Sequence, residues 1–152
     1  AGIELGFRNA VAPADEFVVV TTPDVAAIQD VDRVLGILEA EGRTATRLVI
    51  NRIRPDLVRR NEMLSSDEIV RRLAIPLLGV VPESELVLMA SARGTPVAHD
   101  DTNALGKAYR SMAQRLLGQD APWEQPADEP QPWLRRLWAE VRVRGQRWAT
   151  TR

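Results

Sequence analysis

Three short apolar runs alternate with amphipathic stretches along the first part of the chain. The runs cover residues 17–22, 48–50 and 77–81, and the second lies within a predicted strand at about 46–53. They are rich in β-branched residues and are uninterrupted, which predicts strands covered on both faces, as in a parallel sheet. Between the runs, apolar residues recur at three- and four-residue steps, which predicts helices. Strands that alternate with helices indicate an α/β fold with helices flanking a parallel sheet.

The first two helices carry clear boundary signals. Helical spacing covers residues 3–12 and ends at Pro13. Thr22-Pro23-Asp24 then supplies a hydroxyl cap, a proline at the first helical position and an acid in the first turn. Gly42 ends this second helix. One apolar stripe faces the sheet from it, made of Ile28, Val31, Leu35 and Leu38.

Two short helices and one longer helix follow. After a polar connection from Pro55, a capping box of Ser65 with Glu68 begins the first of these helices. The next helix runs through residues 86–89 and ends near Gly94. The last begins at an Asp100-Asp101 cap and ends at Gly118. The predicted order is therefore α, β, α, β, α, β, α, α. Because three strands make a small doubly wound sheet, we expect further strands before Ala1 and interpret the chain as the second half of a larger fold.

The second predicted strand runs directly into two polar residues, Asn51 and Arg52. In open parallel sheets, ligands bind beyond the carboxyl ends of the strands. An asparagine side chain carries both a donor and an acceptor, so Asn51 can pair with the amino group and a ring nitrogen of adenine. The alternative is that Asn51 only caps a loop, since asparagine is common after strands. Spacing alone leaves these two roles equally open.

Composition excludes several kinds of site. The 152 residues suit one domain, and a formal net charge of −1 gives no overall signature of polyanion binding. The absence of cysteine removes disulfides, thiolate metal sites and a thiol nucleophile. His99 has no second ligand at metal-binding spacing, and Ser65, Ser66 and Ser84 have the context of helix caps, not of nucleophiles. We predict no metal site among these residues.

The chain changes character after residue 118. Residues 119–132 contain four prolines and four acids but no basic residue, which predicts a disordered acidic linker. We therefore divide the chain into a domain (1–118), a linker (119–132) and a C-terminal helix (133–152), which we call the tail. We see no signal peptide, and no apolar run approaches the roughly 18 residues needed to cross a bilayer.

The tail has the pattern of a basic amphipathic helix. It contains six arginines, one glutamate and three tryptophans, although Gly145 weakens the helix beyond Val143. This pattern favours binding in the plane of an anionic membrane surface. The alternatives are a helix that packs back on the domain and a nucleic-acid patch. The predicted membrane contacts are Trp133, Leu134, Arg135, Arg136, Leu137, Trp138, Val141 and Arg142.

Taken together, these residues resemble the MinD septum-site ATPases of the deviant P-loop (ParA/MinD) class. The resemblance covers residues 1–118, and the tail is similar in type and position to the membrane-targeting helix of that family. It rests on the motifs Ala1-Gly2-Ile3-Glu4, Thr21-Thr22-Pro23-Asp24-Val25, Asp30-Val31-Asp32-Arg33, Ile50-Asn51-Arg52, Leu78-Gly79-Val80-Val81-Pro82-Glu83 and Gly94-Thr95-Pro96-Val97. It implies the second half of a P-loop NTPase-like fold.

The resemblance also implies roles for individual residues. Gly2 and Glu4 belong to the switch II segment, beside the γ-phosphate and the dimer interface. Asn51 pairs with adenine and Arg52 lies beside the base. The other side of the purine is closed by Pro82, Glu83 and Ser84.

The partners implied by the resemblance are a second copy of the chain, the division inhibitor MinC, possibly MinE, and the inner face of the cell membrane. An ATP-bound dimer on that membrane would recruit MinC and so position the septum. Asp30 and Asp32 match the helix surface where MinC and MinE compete. The alternative for these two residues is a solvated acidic helix face. No nucleic acid is expected as a partner.

The chain departs from the family pattern at the phosphate site. No GxxxxGK[ST] loop occurs in residues 1–152, and Lys107, the only lysine, has no glycine-rich setting. We expect the loop and the switch I and Walker B aspartates before Ala1. ATP and Mg²⁺ are then cofactors of the intact protein, and this segment alone should neither bind them well nor hydrolyse ATP. The alternative functions are a non-catalytic membrane-tethered binding module and a ParA-like partitioning ATPase that binds DNA.

Overall fold

A three-stranded parallel sheet forms the centre of the structure, a computed structural model that describes residues 5–100 and 102–123. Its strands β1 (Phe17–Thr21), β2 (Thr46–Ile53) and β3 (Leu77–Pro82) lie in the order β1-β2-β3. The helices are α1 (Leu5–Val11), α2 (Val25–Ala40), α3 (Pro55–Arg59), α4 (Ser66–Leu73), α5 (Glu85–Ala92) and α6 (Ala104–Leu116), with a 3₁₀ turn at Val97–His99. The predicted α/β fold with helices flanking a parallel sheet is confirmed.

Each face of the sheet carries its own apolar layer. The predicted stripe of α2 is buried and, together with α4, packs on one face against Leu48, Ile50 and Val80. On the other face, Leu105 and Met112 of α6 pack against residues of β2 and β3. Burying one such side chain stabilises the fold by about 1.5–3 kcal/mol. These layers hold β2 between covered faces, as its unbroken apolar run requires.

Strand β1 differs from its prediction. Val18 and Val20 are 44% and 57% exposed, so among the described residues this strand is not covered on both faces. Register pairs them with Arg47 and Val49, which puts them on the face that α6 covers elsewhere. Helix α6 packs on β3, and β1 is the edge strand farthest from it. An apolar run alone does not reveal how far a covering helix extends.

Two predicted helix caps are wrong by a few residues. Asp24, not Thr22, caps α2, since its carboxylate accepts a hydrogen bond from the Ala27 amide at 2.9 Å while the Thr22 hydroxyl donates to it at 2.6 Å. Asn103, not the Asp100-Asp101 pair, caps α6 by accepting from the Gly106 amide. Asp100 instead accepts from the Thr102 hydroxyl and amide, and these hydrogen bonds lower its pKa to about 2.

Other local signals are met. Ser65 and Glu68 form the predicted capping box at the start of α4. Gly42 and Gly118 follow α2 and α6 with φ of +73° and +76°, a conformation that glycine adopts without steric cost. The polar connection predicted from Pro55 is in fact helix α3, because proline fits the first helical turn.

The first five residues of the predicted linker have a defined structure. Ala121 is buried, and Trp123 packs against the α2–α4 apolar layer. The Arg115 guanidinium lies 3.6 Å from the centre of the Trp123 ring and also donates to the Leu78 carbonyl at 2.6 Å. The linker prediction is therefore wrong for residues 119–123, since one tryptophan supplies apolar area and a cation–π contact that the surrounding composition does not indicate.

Substitutions at two helical glycines, Gly106 in α6 and Gly36 in α2, test how closely the start of α6 approaches the 3₁₀ turn before it. A Cβ at Gly106 would lie 2.3 Å from the Asp100 carbonyl oxygen and 2.8 Å from that of Val97, whereas a Cβ at Gly36 in α2 would meet nothing within 4 Å. We expect Gly106→Ala to lower the free energy of unfolding by about 1–3 kcal/mol. Gly36→Ala should raise it by about 0.5–1 kcal/mol. Urea unfolding followed by circular dichroism measures both, and equal effects would contradict the close approach at Gly106.

Candidate functional site

The five residues predicted to surround a base lie together at the carboxyl edge of the sheet. Asn51 and Arg52 are at the end of β2, and Pro82, Glu83 and Ser84 end β3 and follow it. Register pairs Asn51 with Val81 and Ile53 with Pro82, and the Glu83 amide donates to the Ile53 carbonyl at 2.9 Å. Parallel pairing of two neighbouring strands therefore brings together residues that are about thirty positions apart in the chain.

A β-bulge at the end of β2 changes the direction of the backbone there. The β2–β3 register shifts between Asn51 and Ile53, and Arg52, which lies between them, has a φ of +60°. This left-handed conformation costs a non-glycine residue on the order of 1 kcal/mol. The Asn51 side-chain oxygen accepts from the Arg52 amide at 3.0 Å and so supports it. Bulges often lie beside functional sites, where they redirect a side chain.

The Asn51 contact bears on the two roles left open by the sequence. The hydrogen bond from the Arg52 amide is the one expected of a loop-capping asparagine. It uses one lone pair of the side-chain oxygen, which leaves the second lone pair and the side-chain amide hydrogens. Asn51 is half-buried. Loop capping and pairing with a base are therefore compatible in one side chain.

Charged side chains connect the bulge to the loop after β3. The Arg52 guanidinium donates to one Glu83 carboxylate oxygen at 2.8 Å and 3.2 Å, and Arg54 approaches the other oxygen at 4.0 Å. These groups are exposed, so solvent screens the attraction and it adds little stability. The contact joins the end of β2 to the loop after β3. The Ser84 hydroxyl oxygen accepts from the Leu86 amide and caps α5, as the sequence indicated.

The structure also has a cleft with lining residues that are separate from this edge. Its volume is about 510 Å³, within the range of small-molecule sites, and it lies between α5, the 3₁₀ turn and α6. None of the five predicted base-site residues lines it. Sequence reasoning missed this cleft because small apolar residues carry no chemical signal. Its lining residues are Val87, Ala90, Ser91, Gly94, Thr95, Pro96, Val97, Ala98 and Tyr109.

Among the described residues, the predicted partner surface on α2 is separate from this edge. Asp30 and Asp32 are exposed on α2, and Asp30 pairs with Arg33 at 3.1 Å. Gly2, Glu4 and the whole tail lie outside the described residues. Within residues 5–100 and 102–123, no helix is long and apolar enough to span a membrane. The same residues contain no group of three or more His, Asp or Glu side chains placed to hold a metal ion.

Solved structures share this architecture. MinD from Aquifex aeolicus aligns with a TM-score of 0.77 and 37% identity, over 82% of this chain and 53% of that one. The MinC:MinD complex from the same organism gives the same score and identity, over 82% of this chain and 52% of that one. MinD from Pyrococcus horikoshii, solved with Mg-ADP, has a TM-score of 0.65, 21% identity and coverage of 76% and 46%, and so shows the fold alone. The chain therefore has the P-loop NTPase-like fold of the MinD/ParA class.

Within the MinD/ParA class, the similar curated sequences are MinD proteins. The septum site-determining protein MinD of Synechocystis is 44% identical over 124 residues, and that of Bacillus subtilis is 46% identical over 123 residues. These alignments cover 81% and 80% of this chain but only 47% and 46% of the relatives, so the chain spans about half their length. No family model matches the chain. The resemblance to the MinD septum-site ATPases is thus confirmed, and the chain is MinD-like across that stretch.

The bulge at Arg52 allows a test that separates its backbone from its charge. Arg52→Gly and Arg52→Ala both remove the contact with Glu83, but only glycine relieves the left-handed conformation. We expect the glycine variant to be more stable than the alanine variant by about 1 kcal/mol. Thermal or urea unfolding of the two variants measures this difference. A more stable alanine variant would mean that the bulge does not impose the left-handed conformation in solution.

Proposed function

We propose that this chain is part of a MinD-like ATPase that forms an ATP-bound dimer on the membrane and positions the division septum by recruiting MinC. The observation that carries the proposal is the meeting of Asn51 with residues 82–84 at one edge of a sheet whose sequence is MinD-like. The MinC:MinD complex of Aquifex aeolicus, at 37% identity, supports the choice of partner.

The residues at this edge fit a purine base. Asn51 keeps donors and a lone pair for the ring nitrogen and amino group of adenine, and its half-buried position shields such a pair from water. Arg52 would lie beside the base, and Pro82 with the Glu83–Ser84 backbone would close its other side. Because Arg52 and Glu83 are already ion-paired, these loops need little rearrangement to receive a flat ring.

The same residues do not fit the phosphates. Residues 1–152 contain no glycine-rich loop with a lysine, and the described part has no cluster of metal ligands. Hydrolysis of Mg²⁺-bound ATP is therefore proposed for the intact protein, with Gly2 and Glu4 beside the γ-phosphate and the dimer interface. For residues 1–152 alone we propose weak nucleotide binding and no hydrolysis.

Helix α2 offers the surface proposed for MinC and for its competitor MinE. Its buried stripe leaves the opposite face to solvent, and that face carries Asp30 and Asp32. The side chains of the Asp30–Arg33 pair are 73% and 70% exposed, so the pair can be exchanged for a partner's cation at little cost. This surface is independent of the base contacts, which lie on other elements.

The tail is proposed to hold the protein on the inner face of the cell membrane. Each arginine near an anionic surface contributes about 1 kcal/mol, and burial of the tail's tryptophans and leucines adds to this. Ordering the helix opposes binding, so one tail should bind only marginally. Two tails in a dimer bind far more tightly, because the second attachment occurs at high effective concentration.

The role of Asn51 in base binding can be tested in the intact protein. Asn51→Ala leaves the polar edge of the base without a partner, so ATP binding should weaken by about 1–3 kcal/mol. Isothermal titration calorimetry measures the affinity. The control is Gln29→Ala, which removes a similar amide from an exposed position on α2. Unchanged affinity in the Asn51 variant would reject the adenine role.

Membrane binding by the tail can be tested with vesicles. Deleting residues 133–152 should abolish binding to vesicles that contain about 30% anionic lipid, since the proposed apolar face and arginines are lost together. The double variant Leu137→Asp, Trp138→Asp should bind at least tenfold more weakly, because it places charge in that apolar face. Thr150→Asp, Thr151→Asp adds the same charge beyond Gly145 and should retain most binding. Co-sedimentation that survives the deletion would refute the tail assignment.

A further inference from the structure

Helix α5 carries four large apolar side chains, yet none of its residues is buried. Residues 86–89 (Leu-Val-Leu-Met) are between 36% and 74% exposed. A helix that is apolar on all sides is normally buried, and an exposed apolar patch commonly marks an interaction surface. Val87, Ala90 and Ser91 line the cleft beside α6, so the opposite side of α5 faces away from the domain.

The outward face of α5 has charges at its two ends. Helical spacing puts Glu85, Leu88, Met89 and Ala92 on this face, with Arg93 one turn after Met89. Glu85 and Arg93 are exposed, and neither forms a salt bridge with another residue in the described part of the chain. The outward face of α5 therefore has a negative charge at Glu85, apolar side chains in the middle and a positive charge at Arg93.

We propose that α5 pairs with α5 of a second copy of this chain, antiparallel, about a two-fold axis at Met89. Glu85 and Arg93 are equally far from Met89 along the chain, one on each side. The axis therefore places Glu85 of each copy opposite Arg93 of the other, with Met89 facing its own copy at the centre. A two-fold contact of this kind requires a self-complementary surface, which the charge order of α5 provides.

Charge favours a second copy over the other apolar surfaces that α5 could meet. An anionic membrane would repel Glu85, and the tail, with six arginines and one glutamate, would leave Arg93 facing positive charge. Of these three surfaces, only a second copy has equal and opposite ends that satisfy both residues. The second copy supplies this in the antiparallel orientation.

The contact should be weak in solution. An eight-residue helix is about 12 Å long, so the pair buries much less than the roughly 800 Å² per partner of a typical stable complex. Its strength rises when two copies are confined to one surface. It goes beyond the proposed ATP-dependent dimer, because it needs only α5 and no nucleotide. Its failure would therefore leave the proposed function intact.

Cysteine cross-linking in the intact protein tests the two-fold axis, because residues 1–152 contain no cysteine and any cysteine elsewhere can first be replaced by serine. Met89→Cys puts one thiol of each copy next to the other, and copper–phenanthroline with dissolved oxygen takes up the two electrons released as the disulfide forms. The control is Leu117→Cys, at a position 76% exposed just beyond the end of α6. Without nucleotide, we expect the Met89→Cys protein to cross-link at least about tenfold faster. Equal rates would overturn the proposal.

Charge exchange tests the orientation in the Met89→Cys background. Glu85→Arg and Arg93→Glu should each reduce cross-linking severalfold, since each puts like charges opposite one another. The double variant, or an equimolar mixture of the two single variants, should restore it. Single variants that cross-link as fast as the parent, or a double variant that does not recover, would overturn the antiparallel pairing. If deletion of residues 133–152 changes exposure of the Met89→Cys thiol more than the charge variants do, the tail covers α5 and self-pairing is wrong. Circular dichroism verifies that each variant is folded.

Discussion

The parallel pairing of β2 with β3 is the interaction on which the rest of the structure depends. It places the carboxyl ends of both strands at one edge, and it ends in the hydrogen bond from the Glu83 amide to the Ile53 carbonyl. Apolar layers on both faces hold this pair in register, because a shift of one residue would move each buried side chain of β2 into the layer packed on the opposite face. The polar residues at the edge can therefore be strained and solvated without loosening the sheet.

The bulge at Arg52 shows how that stability is used. A left-handed arginine is unfavourable by itself, but the register shift, the Asn51 side chain and the Glu83 carboxylate all fix it. The surrounding contacts leave Asn51 with unused hydrogen-bonding groups at a half-buried position. Such a preorganised amide suits recognition of a flat polar ligand better than a mobile one, since less ordering is needed on binding.

Sequence patterns predicted the fold and the edge well, because both follow from regular periodicity. The three apolar runs became the three strands, and the polar residues that follow two of them lie side by side. The predictions of helix caps failed, because a single side-chain hydrogen bond decides which residue caps a helix. The Asp24 carboxylate reaches the Ala27 amide and displaces Thr22 as the cap, and Asn103 does the same to the Asp100-Asp101 pair. Trp123 extends the domain into a predicted linker, and composition averaged over a segment does not show one such contact.

Helix α5 is connected to the carboxyl edge of the sheet by a very short segment. Strand β3 ends at Pro82 and α5 begins at Glu85, so two residues separate them, and one of these, Ser84, caps the helix while the other, Glu83, is held by Arg52. Any ligand that orders Pro82 and Ser84 must also fix the direction in which α5 leaves the sheet. The outward face of α5 is not part of that edge, but its orientation depends on the residues there. The edge would therefore set the direction of a contact between two copies through α5, although the contact itself needs no ligand there, since the connecting segment is too short to absorb a change in its position.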